Sequence, residues 1–439
     1  MNNKKIPTEK YKRSAITAIT TAKIGLKHVT HLSKKNLSSA KNAKQQDQQY
    51  EEDIGKILIN ALMQLRGTAL KVAQMMSMEL DMLPEGVRAE LAKACSQVTP
   101  LNRAHIRKVY LAEFNRAPEN VFAKFDANAF AAASLGQVHN AVSADNHPLA
   151  VKIQYPGIGA SIKSDVQLVR GIMKSISLGS AYLPRWEIID DVLSGVQKQL
   201  EKEIDYLQEA KNTQWFAEHL NLPNIRVPKV YTQFSGDKVL TTEYITGKHL
   251  DPWLAEKPSQ AIRNHYGQLL FDMFCYQLYE LKVLHADPHP GNFLFCDDGS
   301  IALIDYGCIQ QLNPNYPSAI ARLFTRDHQQ IYQAYQDLSI ISNELSFEKF
   351  ESNVFQTIEP LHAWMSAPGL AKEFDFSQMP PMPNKRFSHM KKAIKEINSM
   401  QQDQVYFDRS YFGLLSMLRK MEAKIMTEGL LHGTSKKTS

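Results

Sequence analysis

His285-Ala-Asp-Pro-His-Pro-Gly-Asn292, followed by Leu303-Ile-Asp-Tyr-Gly307, decides how this chain folds. Between the two segments, Asn292-Phe-Leu-Phe295 and Ile301-Ala-Leu-Ile304 flank the turn Cys296-Asp-Asp-Gly-Ser300 and predict a short hairpin. Asp287 and Asn292 stand five residues apart, and Asp305 lies eighteen residues beyond Asp287. The Asp287 carboxylate can accept or orient the proton of a hydroxyl. The Asn292 amide oxygen and the Asp305 carboxylate are hard oxygen donors of the kind that Mg2+ takes. Phosphoryl transfer needs little else, because it depends on placing a nucleophile and neutralising triphosphate charge. A Pro-rich turn and an unrelated Asp-Tyr-Gly would have no reason to share this spacing.

The offset matches a kinase catalytic loop, H-R-D-x-x-x-x-N, with a D-F-G after an intervening hairpin. Upstream, Gln137 to Val142, a turn at Asp145-Asn146, and Leu149 to Ile153 predict another hairpin, closed by Ala150-Val-Lys152. Alternation puts Ala150 and Lys152 on one face and Leu149, Val151 and Ile153 on the other. A Lys on that strand reaches the α/β-phosphates, as in the V-A-I-K motif. The small-residue segment Ala131-Ala-Ala-Ser-Leu-Gly136, including Ala133 and Leu135, leads into it, and backbone N–H groups from Ser134 to Gln137 are placed to cradle phosphate. Alanines there are stiffer than glycines, which predicts an altered preference between ATP and ADP. Backbone groups of Glu243, Tyr244 and Ile245 are the expected adenine contacts. Lys152 needs an acid: on a helix running from Trp186 to His219, Asp205 and Glu209 are expected to share a face, with Glu203 pointing away.

Around this core the chain sorts into four regions. Residues 1–50 form a basic arm, 51–118 a helical extension, 119–247 a sheet-bearing N-lobe, and 248–439 a helical C-lobe. Strands followed by helices predict an α+β, two-lobed protein-kinase-like fold with an added N-terminal helical extension. Helices are expected from about Ser161 to Ile176 and over Gln268 to Leu284, and a surface loop over Ser366 to Arg386, which carries Pro380, Pro381 and Pro383. Lys and Arg exceed Asp and Glu by only six in 439 residues, too few to argue for nucleic acid. The excess is concentrated in the first 46 residues, where Glu9 is the one acid. Within that arm Ala15, Ile19, Ala22 and Leu26 fall near one stripe, the pattern of a helix in peripheral contact with a membrane surface. No run approaches the ~18 apolar residues of a membrane span, so the expectation is a cytoplasmic protein without a transmembrane segment. Cys95, Cys275, Cys296 and Cys308 have no zinc spacing and read as reduced thiols. His289, two residues after Asp287, reads as a structural residue of the loop and not as a metal ligand.

From about Ala61 to Tyr316 the chain resembles the UbiB/AarF family of atypical kinases. Three features carry the resemblance beyond kinases in general: the Ala-rich nucleotide loop, the E-x-D pair Glu203-x-Asp205 with Glu209 in the position that pairs with the strand Lys, and Lys71-Val-Ala-Gln74, similar to the family's K-x-G-Q. The resemblance implies ATP and Mg2+ as cofactors. It also implies that the helix bearing Lys71 and Gln74 lies over the cleft, meets the E-x-D pair and occludes a protein substrate. It further points to the handling of isoprenoid lipids or quinone precursors. The chain lacks the A-P-E segment of protein kinases, in keeping with a non-protein substrate. Two positions depart from the pattern: Ala73 replaces the motif Gly, and Tyr306 replaces the Phe of D-F-G, so a phenol hydroxyl needs a partner. An aminoglycoside-phosphotransferase-like kinase would share the catalytic loop but not the Lys71 motif or Glu203-x-Asp205. A nucleotide-switched scaffold without phosphoryl transfer would have no need of Lys152, Asp287, Asn292 and Asp305 together.

Overall fold

The alternation that begins near residue 124 builds an antiparallel sheet. The computed structural model describes residues 10–35, 103–133, 135–177, 186–383, 393–398 and 401–432, with isolated helical positions at 50, 53, 56, 57 and 60. Lys71, Gln74 and Ser134 lie outside the described residues. Two compact units emerge, residues 1–208 with 231–243, and residues 209–230 with 244–439. The segment 209–230 therefore groups with the second unit, although the sequence places it in the first.

In the first unit, β1 (Lys124–Ala133), β2 (Gly136–Val142), β3 (Pro148–Gln154) and β4 (Val239–Glu243) pair in that order. The expected hairpin forms, with Val138 opposite Lys152 and Ala141 opposite Leu149. Its turn places Asn146 at φ 63°, a left-handed conformation that Asn tolerates. Leu149, Val151 and Ile153 are fully buried against Ile106, Val109 and Tyr110 of α2, which follows α1 (Lys10–Lys35) and spans Arg103–Phe114. Each such side chain contributes about 1.5–3 kcal/mol. Ala150 and Lys152 take the other face, half-buried, as alternation requires.

Two amphipathic helices follow the sheet. In α3 (Ile158–Ser177) Ile162, Val166 and Val169 are buried, and in α4 (Trp186–Glu203) Ile189, Leu193, Val196 and Leu200 are. These spacings of three and four make one apolar stripe on each helix. The two helices pack together, and Arg170 clips them through Asp190 at 2.6 Å and Ser194 at 2.9 Å. α1 packs against α3 and buries Thr20 and Ile24, while Ile19, Leu26 and Val29 stay exposed.

The expected continuous helix from Trp186 to His219 is broken at Ile204-Asp205. α4 ends at Glu203 and α5 (Tyr206–His219) starts afresh. Gln154 donates its side-chain N–H to the Ile204 carbonyl, which takes that group out of the helix ladder. Asp205 accepts from the Gln208 backbone N–H at 2.9 Å and caps α5. Asp205 therefore turns to solvent while Glu209 is buried, and the shared helix face expected for them does not form.

The second unit is built on α6 (Gln260–Tyr276), started by Ser259, whose side chain accepts from the Ile262 N–H. Its Tyr266, Leu270, Phe271 and Phe274 enter a large aromatic core with Phe295, Phe407, Tyr411 and Leu414. A π turn over Gln277–Leu281 and a left-handed Lys282 (φ 54°) end the helix and launch β5 (Val283–His285). β5 pairs antiparallel with β8 (Ile309–Gln311). β6 (Phe293–Phe295) and β7 (Ile301–Leu303) form the expected short hairpin, and β7 also pairs in parallel with the two-residue strand Ile225–Arg226. Gly299 in its turn has φ 86°, a region only glycine enters freely. The segment expected as a surface loop is instead partly structured. β9 (Glu373–Asp375) pairs with β10 (Lys424–Met426), and Phe376 and Met379 are buried in the core. Apolar side chains ahead of the prolines anchor it. Between them, α7 (Gln402–Met421) crosses the unit.

Candidate active site

Local folding brings the catalytic loop and the Asp-Tyr-Gly segment together. β5 delivers the chain into His285-Ala-Asp-Pro-His-Pro-Gly-Asn292, and β6 carries it away; β7 leads into Asp305-Tyr306-Gly307, and β8 follows. Because β5 pairs with β8, the Ala286 N–H reaches the Cys308 carbonyl at 2.9 Å, and because β6 pairs with β7, the Ile304 N–H reaches the Asn292 carbonyl at 3.0 Å. The loop and the Asp-Tyr-Gly segment are thus stitched by backbone on both sides.

His285 adds a side-chain link. Burial pushes its imidazole below the ordinary histidine range, more than the nearby Asp287 and Asp305 charges raise it. The ring is accordingly neutral, and its Nε2–H donates to the Asp305 carbonyl at 2.8 Å. Its own backbone N–H is held by the Gln277 side chain at 2.8 Å. His289 is structural as expected: its Nδ1 accepts from the Gly291 N–H at 3.0 Å and opens the short turn that places Asn292. Among the described residues, no group of three or more His, Cys, Asp or Glu side chains could hold a metal ion.

Asn292 donates its Nδ2 to the Asp287 carboxylate at 2.9 Å and to the Asp287 carbonyl at 3.0 Å. With the nitrogen committed, the Oδ1 is the end left for a cation. Asp305 is held by the Gly307 N–H at 3.0 Å. A Cβ on Gly307 would stand 3.3 Å from Asp305 Oδ1 and 3.9 Å from Glu209 Oε2, so these two carboxylates flank the same glycine. The donor set of one amide oxygen and one carboxylate fits Mg2+, which keeps several waters and takes its other ligands from phosphate.

Tyr306 is fully buried between the rings of Phe216 and His285, with centroids 5.1 Å and 6.0 Å away. Asn212 donates to its carbonyl at 2.9 Å. Its hydroxyl finds no partner among the described residues, and burial drives its ionisation well above the ordinary range.

In the first unit, Lys152 lies with its Nζ 5.0 Å from the centroid of the buried Tyr206 ring, a cation–π contact that the sequence reading missed. Ala133 ends β1, Leu135 is buried in the turn, and Gly136 and Gln137 open β2. Gly136 has no room for a side chain: a Cβ would run into the Ile153 carbonyl and stand 2.9 Å from the Tyr206 hydroxyl. The Gln137 side chain turns inward to the buried His139 at 2.9 Å. Glu203 ends α4 half-buried, Glu243 ends β4, and Tyr244 follows it. Ile245, in the second unit, packs with Leu294, Cys296 and Ala302.

The largest omission from the sequence reading is α7. Arg409 donates from Nη2 to Asp287 Oδ1 at 3.1 Å, Ser410 Oγ donates to the His285 carbonyl at 3.1 Å, and Gly413 faces the Pro288 side chain. More than a hundred residues separate these groups from the loop, and no local pattern marks them.

Sheet, catalytic loop and Asp-Tyr-Gly segment define a kinase-like protein. The ABC1 atypical kinase-like domain matches residues 93–335, more than half of the chain. The chain belongs to this family of atypical kinases, the UbiB/AarF family that its motifs resemble. It is 31% identical over 327 residues to the mitochondrial atypical kinase COQ8 of Schizosaccharomyces pombe, covering 70% of this chain and 51% of that protein. It is 29% identical over 363 residues to the mitochondrial atypical kinase COQ8B of Rattus norvegicus, covering 80% and 66%. The chain thus spans between half and two thirds of the length of these two relatives. Among solved structures, the complex of Rv3197 with erythromycin from Mycobacterium tuberculosis superposes with a TM-score of 0.60 at 21% identity, over 82% of this chain and 89% of that one. That likeness concerns the fold.

Proposed function

We propose that this chain is a Mg-dependent ATP-binding kinase or ATPase of the UbiB type, acting on or supporting the handling of isoprenoid lipids or quinone precursors and not phosphorylating proteins. The observation that carries this reading is the Asn292 side-chain nitrogen committed to Asp287, which leaves the amide oxygen as the donor for a cation, on a loop whose Asn292 carbonyl is tied to the Ile304 N–H just before Asp305. Asn292 and Asp305 would hold the metal, which supplies charge neutralisation for the triphosphate when bound. Asp287 orients the acceptor hydroxyl or water. Lys152 is assigned to the α/β-phosphates, with Glu209 as its acid, and the backbone from Ala133 to Gln137 to the phosphate oxygens. Glu243, Tyr244 and Ile245 are assigned to adenine, and Lys71, Gln74, Glu203 and Asp205 to control of access. The lipid part of the proposal is supported by family membership alone.

Peripheral membrane contact is proposed through α1, which has basic residues at both ends, no Asp or Glu, and an exposed Ile19, Leu26 and Val29. Among the described residues, no helix is long and apolar enough to cross a membrane.

Thermal unfolding with MgATP, MgADP and metal-free nucleotide tests the nucleotide site. A ligand at about a hundred times its dissociation constant adds ~2.7 kcal/mol to the native state. The expected result is a Mg-dependent melting shift that Asp305→Asn loses. Asp287→Asn should keep the shift yet slow turnover by on the order of a hundredfold. Absence of a shift with every nucleotide overturns the proposal. A normal shift without any turnover would favour a nucleotide-switched scaffold.

A further inference from the structure

The two carboxylate oxygens of Asp287 are held by different elements. Oδ2 accepts from Asn292 at 2.9 Å, within the loop itself, and Oδ1 accepts from Arg409 at 3.1 Å, from α7. Among the described residues this is the one hydrogen bond the Arg409 side chain makes. Both side chains are partly exposed, at 27% for Arg409 and 32% for Asp287, so the ion pair by itself adds little to folding stability. Its geometry matters more than its strength.

Arg409 does not hang from a loose surface. One residue on, Ser410 is fully packed and bonds the His285 carbonyl; four residues on, the missing Cβ of Gly413 lets the helix close on Pro288. At the start of the same helix, Asp403 accepts from the Asn313 backbone N–H at 2.9 Å and the Gln310 side chain at 3.0 Å. The helix is therefore fastened to the chain on both sides of the site, and the guanidinium projects from that frame. A carboxylate anchored at one oxygen can swing about its Cβ–Cγ bond. Anchored at both, it presents its remaining lone pairs in a fixed direction, which is what orienting a hydroxyl demands.

We propose that Arg409 is a positioning residue for Asp287, fixing the plane of the carboxylate that receives the acceptor hydroxyl or water without itself contributing to nucleotide binding. The proposal rests on Asp287 having the role assigned to it above.

The test uses the full chain as wild type, Arg409→Gln, Arg409→Lys, Arg409→Ala, Asp287→Asn and the Arg409→Gln/Asp287→Asn double variant. Steady-state ATP turnover and the MgATP-induced melting shift are both measured. Because a small misplacement of a reacting group costs up to about a hundredfold, Arg409→Gln should lower kcat by roughly tenfold to a hundredfold. Its KM and melting shift should stay as in the wild type. Arg409→Lys should recover part of kcat, and added methylguanidinium should restore part of the activity of Arg409→Ala. The double variant should turn over no more slowly than Asp287→Asn, since both changes act through one carboxylate. The proposal is overturned if Arg409→Gln weakens the MgATP shift as much as it lowers kcat. It is equally overturned if its loss multiplies fully with that of Asp287→Asn. Should Arg409→Gln not fold, the kcat-against-KM split of Arg409→Lys and the methylguanidinium response decide in its place. Wild-type turnover in Asp287→Asn, or no Mg-nucleotide shift in the wild type, would sink the parent reading. Loss of turnover in Asp287→Asn with wild-type turnover in Arg409→Gln would remove Arg409 alone.

Discussion

The Tyr306 hydroxyl is buried with no hydrogen-bond partner among the described residues. A buried hydroxyl deprived of its hydration costs about 1–3 kcal/mol. Phenylalanine keeps the ring contacts with Phe216 and His285 and removes the stranded group. Tyr306→Phe is therefore expected to be as stable as the wild type or more stable, by about 1 kcal/mol. Chemical denaturation measures the difference, and a clear destabilisation would mean that the hydroxyl is bonded after all. The same contrast separates the two halves of the site. Asp305 is anchored through its backbone carbonyl and the Gly307 N–H, neither of which needs the phenol, so the Mg-nucleotide shift should survive Tyr306→Phe.

At the scale of elements, α7 acts as the back plate of the catalytic loop. At Gly413 the two pack without room for a side chain, because a Cβ there would collide with the Pro288 ring. A proline ring next to Asp287 cannot rotate aside, so the loop or the helix must shift. Gly413→Ala should cost about 1–3 kcal/mol from overpacking. It should also slow turnover more than it weakens nucleotide binding, because the strain arrives one residue from Asp287. Gly195, on α4, is the control: nothing lies within 4 Å of its Cβ position. Gly195→Ala should gain about 0.5–1 kcal/mol from helix propensity and leave turnover alone. Equal effects of the two substitutions on turnover would count against the back-plate role.

Across the whole molecule, buried neutral histidines tie stability to pH. His362, in the helix Gln356–Ser366, is lowered to about 4 by burial, with the His328 charge acting in the same direction and the Leu323 carbonyl opposing. Its Nε2 is buried with no partner among the described residues, and its ring packs against Phe355 at 5.4 Å. His328 itself lies 2.9 Å from Glu351. Above the ordinary value of about 6.5 neither state binds the proton. As pH falls below it, the unfolded chain takes up a proton that the native ring refuses. Stability should therefore decline between pH 6.5 and 4, by up to about 3 kcal/mol, and the contribution should level off below that. His139 and His285, also lowered chiefly by burial, slope the same way. Denaturation midpoints from pH 7.5 to 4.5 should show a shallower decline for His362→Leu than for the wild type.

The sequence by itself determined the parts of this protein that depend on short spacing. Asp287, Asn292 and Asp305 stand on segments joined by a two-strand hairpin, so their order along the chain nearly fixes their neighbourhood. Lys152 was legible because a strand has a period of two, and burial of Leu149, Val151 and Ile153 leaves Lys152 only the opposite face. The helix break at Ile204-Asp205 was also within reach: Asp205-x-x-Gln208 is a capping signature, overridden in the sequence reading by the longer apolar periodicity. What only the tertiary structure decided was which distant groups complete the site. Arg409, Ser410 and Gly413 lie on a helix whose own sequence marks nothing but an amphipathic stripe. They acquire meaning when packing of Phe407, Tyr411 and Leu414 into the core turns that helix toward the loop. Side-chain chemistry within a few residues is written locally. A contact across a hundred residues is set by how two apolar faces pack, and no local spacing records it.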